Sequence, residues 1–292
     1  MLGSANARNS SGLSRLVALN MPRIASGLAI EAAWATAHMM MYPFGLLSSP
    51  ARAVGDRRRH DLSGLSPEQR GLFHYRLDAA ETPIVLVHGI VDNHAIFTVM
   101  ECGLRRRGFR TLSAYDYGVL THNIPRAAVR LGEAIGELCA ATGYERIHVI
   151  GHSLGGLIAR YYIQRLAGDR QVHTLVTLGT PHHGTQLAWA APLLPLARQL
   201  APNSSVIKEL AEPAPQCRTR FIAFYSDIDH LIIPSRNARL DHPDLDVQNI
   251  AVRGVGHLSM PNNGRVAFTI AQALRDLDRD GTASANNVRS RQ

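Results

Sequence analysis

The chain has 292 residues, of which 46% are hydrophobic and 18% charged, and its formal net charge is +8 at pH 7. That length buries a full core as one large α/β domain or two small ones, and the apolar share excludes a mainly disordered chain. The basic excess is almost entirely arginine, scattered except at Arg57-Arg58-Arg59 and Arg105-Arg106-Arg107 with no aromatics interleaved, so nucleic-acid binding is not expected.

Residues 1–23 are polar and small and are expected to be disordered. Residues 24–47, IASGLAIEAAWATAHMMMYPFGLL, are long enough to cross a bilayer as a helix, but they carry Glu31 and His38 and stop at Pro43 and Gly45. Three readings stay open: a helix packed on the domain or lying in a membrane interface, a membrane anchor, or an export signal cut near Ala51-Arg52-Ala53. Localisation is therefore membrane-associated or exported, with cytoplasmic as the alternative. A charged linker runs to residue 64.

From about 65 to 280 the pattern alternates between strand-like and helix-like segments, as in a single domain, and 281–292 reads as a disordered tail. TPIVLVHG (82–89) is a continuous apolar run ended by glycine, as in a buried strand. Helical spacing follows over 94–107, then a short strand FRTLSAY (109–115) and a helix over 123–142. ERIHVIG (145–151) and VHTLVTLG (172–179) are two further strands, with the helix GLIARYYIQRLAG between them. FIAFYS (221–226), VQNIAV (247–252) and the helix GRVAFTIAQALRDL (264–277) complete the set. Strands that are apolar throughout and alternate with helices imply a mostly parallel sheet covered on both faces. Residues 184–216 are apolar and proline-punctuated between two strands, so they form a candidate lid above the sheet edge where open α/β sheets bind ligands.

Within VIGHSLGG (149–156), Ser153 follows a strand and opens a helix, the context of a G-x-S-x-G nucleophile elbow. A serine nucleophile needs a base and a carboxylate to orient it, and on such a sheet they follow in the order acid, then histidine. Three histidines fit that order: His230, His242 and His257. His230 sits beside the candidate acids and His242 lies in the acidic loop LDHPDLD, whereas His257 follows the last strand in RGVGHLSM. His257 is therefore the candidate base. YSDIDHLIIP offers Asp229 as the acid, with Asp227 as the alternative. Backbone N–H groups must also receive the oxyanion. Leu154 supplies one, and VHGIVDN supplies the other from Ile90, with Val91 the alternative; His88 reads as a hydrogen-bonder that orients this loop.

VLVHG, GHSLGGLIARYY, TLGTPHHGT and RGVGHLSMP, in that order, together resemble the bacterial lipase and esterase branch of the α/β-hydrolase superfamily over roughly residues 82 to 275. The resemblance implies an α/β-hydrolase fold, Ser153 as nucleophile, Asp229 as acid, His257 as base, and Ile90 and Leu154 as oxyanion donors. LAPNSSVIKEL is also similar to a lid-flanking segment of such lipases.

No cofactor or metal is expected. His182 and His183 are adjacent and lack a third ligand at suitable spacing, and Cys102, Cys139 and Cys217 lie far apart with no C-x-x-C pair. The expected activity is hydrolysis of hydrophobic carboxylic esters, with a small ester or lipid as substrate and with possible membrane-surface contact through residues 24–47. The rival readings are an acyltransferase or thioesterase with the same triad, and a membrane-tethered lipid-binding protein without turnover.

Overall fold

Six parallel strands form one sheet in the order β2-β1-β3-β4-β5-β6. They are β1 (Ile84–Val87), β2 (Leu112–Tyr115), β3 (Ile147–His152), β4 (Val172–Leu178), β5 (Arg220–Ser226) and β6 (Asp246–Val252). The computed structural model describes residues 82–90, 92, 94–117 and 121–274. The expectations for residues 1–81, for Val91 and for the tail lie outside the described residues. Among the described residues no helix is long and apolar enough to cross a membrane.

The strand sequences explain the layers. Successive residues of a strand face opposite sides, so Val85 and Val87 enter one hydrophobic cluster with Val149 and Leu175, while Ile84 and Leu86 enter a second with Ile150 and Val176. Both faces of β1, β3 and β4 are buried throughout, which is why these strands read as unbroken apolar runs. Edge strand β6 departs from the expectation of apolar strands, because DVQNIAV has one side of its ladder unpaired and retains partly exposed residues.

Helices α1 (Thr98–Arg105) and α6 (Gly264–Ala273) cover one face, through Met100, Leu104, Val266 and Ile270. On the other face lie α2 (Ile124–Thr142) and α3 (Leu154–Arg165). The ends of α2 follow from its sequence: Asn123 accepts the Arg126 N–H at 2.8 Å, and Gly143, at φ 80°, closes it by donating to the Cys139 carbonyl. The helix expected over 94–107 opens instead as a 3₁₀ turn, His94–Phe97, before α1.

The candidate lid contains a 3₁₀ turn (Gln186–Ala190), α4 (Pro195–Leu200) and α5 (Ser205–Ala211). Leu196, Leu200, Val206, Ile207 and Leu210 are buried in the core beneath it, while Leu193 and Leu194 are 90% and 60% exposed. Several bonds pin this insertion. Thr185 Oγ1 donates to the Leu231 carbonyl at 2.8 Å, Gln199 Nε2 donates to the His122 carbonyl at 2.7 Å, and Arg160 Nη2 donates to the Leu210 carbonyl at 2.8 Å.

Candidate active site

The chain passes from β1 outward to β2 and then crosses back to β3 on the opposite side of β1. Strand order reverses there, and at such a point the loops leaving the two strands diverge and open a crevice at their carboxyl ends. Ile90 leaves β1 and Ser153 leaves β3, so both lie at this crevice.

Ser153 has φ 52° and ψ −121°, a backbone conformation that a side chain disfavours. Its surroundings hold it there. Its N–H donates to the Leu178 carbonyl at 2.9 Å, and Thr180 Oγ1 donates to the Ser153 carbonyl at 3.0 Å. Two residues on, α3 presses against the end of β1: a Cβ on Gly155 would lie 2.2 Å from the Val87 carbonyl oxygen, so only glycine fits. Leu154, the first residue of α3, presents an N–H that has no partner within the helix, at its positive end.

His257 Nδ1 and Asp229 Oδ2 are 2.8 Å apart, and both residues are buried. The other carboxylate oxygen, Oδ1, accepts the N–H groups of Leu231 and Ile232 at 2.9 and 3.0 Å. Burial pushes the Asp229 pKa up, but the charge and hydrogen bond of His257, with the two backbone N–H groups, outweigh it and hold the carboxyl below its ordinary value. An ionised carboxylate only accepts, so Nδ1 of His257 carries the proton and Nε2 is left as the basic nitrogen. Gly179, at φ 55°, allows this approach; a Cβ there would sit 3.0 Å from both Asp229 Oδ2 and His257 Nδ1.

Asp227, the alternative acid, instead accepts the Gly254 N–H at 2.9 Å and so ties the loop after β5 to the turn after β6. His230 is exposed, and His242 Nε2 lies 3.0 Å from the Glu212 carbonyl oxygen. The structure therefore joins His257 to Asp229 and leaves the other candidates elsewhere.

Ser153, Leu154 and Ile90 line one cavity of about 400 Å³. Its walls are Leu187, Leu194, Leu196 and Leu200 of the insertion, with Leu231 and Ile232 beside the acid. The loop after β1 is braced from beneath: Tyr117 Oη donates to the carbonyls of His88 and Gly89 at 3.0 and 2.5 Å, and its ring stacks on His88 at 4.3 Å. His88 Nδ1 lies 2.9 Å from the Gly89 carbonyl, and Nε2 lies 3.3 Å from Asp116. Burial lowers the His88 pKa, against the pull of Gly89 and Asp116.

His182 is buried, with Nε2 2.9 Å from Thr177 Oγ1 and its carbonyl accepting from Arg160. Among the described residues no group of three or more His, Cys, Asp or Glu is arranged to hold a metal ion. Arg160 is itself buried on α3 with no carboxylate partner among the described residues, bonded to the carbonyls of His182 and Leu210 and to Gln164, and burial takes its pKa down to about 9. Sequence reasoning missed Arg160, Tyr117 and the buried Asp92, which joins His152 beside the nucleophile. The available signal was the charge itself, at Asp92 within VHGIVDN and at Arg160 within an otherwise apolar helix.

A family profile describing the α/β hydrolase fold matches residues 82–205. The chain has an α/β-hydrolase fold. Two curated relatives of the chain, both triacylglycerol lipases, are from Pseudarthrobacter phenanthrenivorans and Burkholderia plantarii. Each is 29% identical over 117 residues, covering 38% of this chain and 36% and 32% of those proteins respectively, so the match spans about a third of either lipase. Among solved structures, the mature lipase of Bacillus licheniformis is similar with a TM-score of 0.56 and 19% identity, over 68% of this chain and 93% of that one. Lipase B of Aspergillus fumigatus gives 0.51 and 18%, over 60% and 45%. At these identities the solved structures show the fold alone. The profile match covers Ser153 and the loop of Ile90 and ends before Asp229 and His257.

Proposed function

We propose that this α/β-hydrolase is a serine esterase of the lipase type, cleaving carboxylic esters of hydrophobic acyl groups through an acyl-enzyme. The observation that carries this reading is Ser153, held at a positive φ in the wall of an apolar cavity, on a sheet edge that also bears the Asp229–His257 pair.

Each group has a chemical task. Nε2 of His257 takes the proton as Ser153 Oγ attacks the ester carbonyl, and Asp229 stabilises the imidazolium and fixes its tautomer. The N–H groups of Ile90 and Leu154 receive the oxyanion of the tetrahedral intermediate. His257 then returns the proton to the departing alcohol, and water repeats the sequence on the acyl-enzyme.

The character of the mouth supports a hydrophobic acyl group. Of the eleven large apolar side chains exposed among the described residues, Ile90, Leu187, Leu194 and Leu231 line the cavity, and Trp189, Leu193 and Ile233 neighbour them in the chain. Buried apolar area stabilises the bound chain by ~25 cal/mol per Å². Triacylglycerol lipase is also what the curated relatives are named. Rates across p-nitrophenyl esters from acetyl to palmitoyl test the reading. The expected optimum lies beyond butyryl, and a sharp preference for acetyl contradicts it. Contact of residues 24–47 with a membrane is part of the same proposal, and fractionation of tagged full-length protein checks it.

A further inference from the structure

His152 stands immediately before Ser153 and is almost wholly buried. Its ring lies 4.8 Å from that of His257, the planes tilted by 49°, yet the two rings do not bond to each other. Instead Nε2 of His152 is 3.1 Å from the backbone carbonyl oxygen of His257. A carbonyl only accepts, so this nitrogen carries the proton and donates. The opposite nitrogen, Nδ1, faces the Oδ2 atom of Asp92 at 3.8 Å. Asp92 is also buried, and it belongs to the loop that carries Ile90.

One ring thus touches both halves of the site. Its donor side holds the backbone of the residue read as the base, and its other side faces a carboxylate on the loop read as the oxyanion loop. The packing around it is tight: a Cβ on Gly89 would lie 3.2 Å from His152 Nδ1, 3.3 Å from Ser153 Cβ and 3.6 Å from Asp92 Oδ2. We propose that His152 acts as a positioning residue: its Nε2–H fixes the His257 backbone, and its ring, packed against Gly89 and Asp92, keeps the Ile90 loop in register with Ser153. The proposal rests on the ester-hydrolase reading above. It assigns His152 no contact with substrate.

The physical reason for such a unit is that His257 and Ile90 sit on loops that leave different strands, and reacting groups displaced by about 1 Å lose rate by about 100-fold. A buried side chain that bonds one loop and packs against the other transmits the rigidity of β3 to each. Burial keeps the His152 imidazole below its ordinary pKa, against the pull of Asp92, and His257 adds to that lowering. A neutral ring here adds no positive charge beside His257 when that residue takes up a proton.

The test compares His152→Gln, whose amide nitrogen retains a donor near the Nε2 position, with His152→Leu, which removes it, and with Asp92→Ala, which opens the packing against the ring. Steady-state kinetics on the best p-nitrophenyl ester are read together with melting curves. The expected result is a kcat about 10- to 100-fold lower in His152→Leu with KM within about 2-fold of the wild type, and recovery of most of that loss in His152→Gln. Asp92→Ala is expected to lower kcat by a smaller factor with KM unchanged. If His152→Leu fails to fold, His152→Asn, whose shorter amide does not reach the His257 carbonyl, takes its place, and wild-type kcat in His152→Asn overturns the proposal. Folded His152→Leu with wild-type kcat overturns it too, as does a loss that glutamine does not restore. A wild type that neither hydrolyses esters nor reacts with a fluorophosphonate defeats the parent reading and takes this one with it.

Discussion

At the scale of single residues, the acid of the proposed triad was open in sequence, and local backbone geometry favours Asp229. Asp227 and Asp229 both follow β5, both are carboxylates, and the apolar segment after them is one residue longer than the D-x-x-V-P pattern of many hydrolases. What separates them is that the chain after Asp229 folds back and aims the N–H groups of Leu231 and Ile232 at Oδ1, leaving Oδ2 for His257. Asp227 meets only the Gly254 N–H. Asp229→Asn is therefore expected to reduce kcat by about 10⁴-fold, because an amide donor favours the wrong imidazole tautomer. Asp227→Asn retains an accepting oxygen for Gly254 and is expected to stay within about 3-fold of wild type. Parallel kinetics on the two variants check the assignment, and equal losses contradict it. Linkage adds a sign. The folded-state pKa of Asp229 lies below its unfolded value, so its contribution to stability is present above about pH 4 and is lost as pH falls through the folded pKa.

At the scale of elements, the strands and helices that position the site were legible because both faces of the sheet are covered. Strands β1, β3, β4 and β5 stand out as apolar runs, and α2 is bounded by an Asn cap and a glycine stop. Edge strand β6 was legible only in place, since its unpaired side leaves its residues half exposed. The insertion was visible as a break in rhythm, but its fastening was not, since that depends on contacts between residues tens of positions apart. Arg160 is the clearest case: from α3 it bonds the carbonyls of His182 and Leu210 and so ties the helix after Ser153 to α5. His152 and Asp92 were hidden for the same reason. Removing the Arg160 side chain leaves two buried carbonyls without their donor, each worth about 1–3 kcal/mol. Arg160→Leu is thus expected to lower the unfolding free energy by about 2 kcal/mol or more in urea and to admit protease cleavage between residues 186 and 216. An unchanged urea midpoint with an intact insertion contradicts the clamp.

At the scale of the whole molecule, the buried histidines make stability depend on pH. His148 on β3 is fully buried, neither ring nitrogen has a hydrogen-bond partner among the described residues, and the ring meets that of His173 edge to face at 5.3 Å. Burial holds its pKa well below 6.5, and His173, Arg146 and Arg220 push the same way. The unfolded chain binds this proton below about pH 6.5 and the folded chain does not, so stability is full above that pH and declines beneath it by up to ~1.4 kcal/mol per pH unit. His148→Phe is expected to flatten the fall of Tm between pH 7 and 5, and an unaltered slope contradicts this. The larger claim is that one sheet edge, one serine and one Asp–His pair cooperate as an ester-cleaving site. The most direct measurement is turnover of a medium-chain p-nitrophenyl ester, with intact mass after fluorophosphonate treatment, on wild type and Ser153→Ala. Catalytic hydrolysis with one phosphonyl adduct mapped to Ser153, both abolished in a folded Ser153→Ala, is the predicted result; turnover that survives the substitution, or an adduct on another residue, contradicts it.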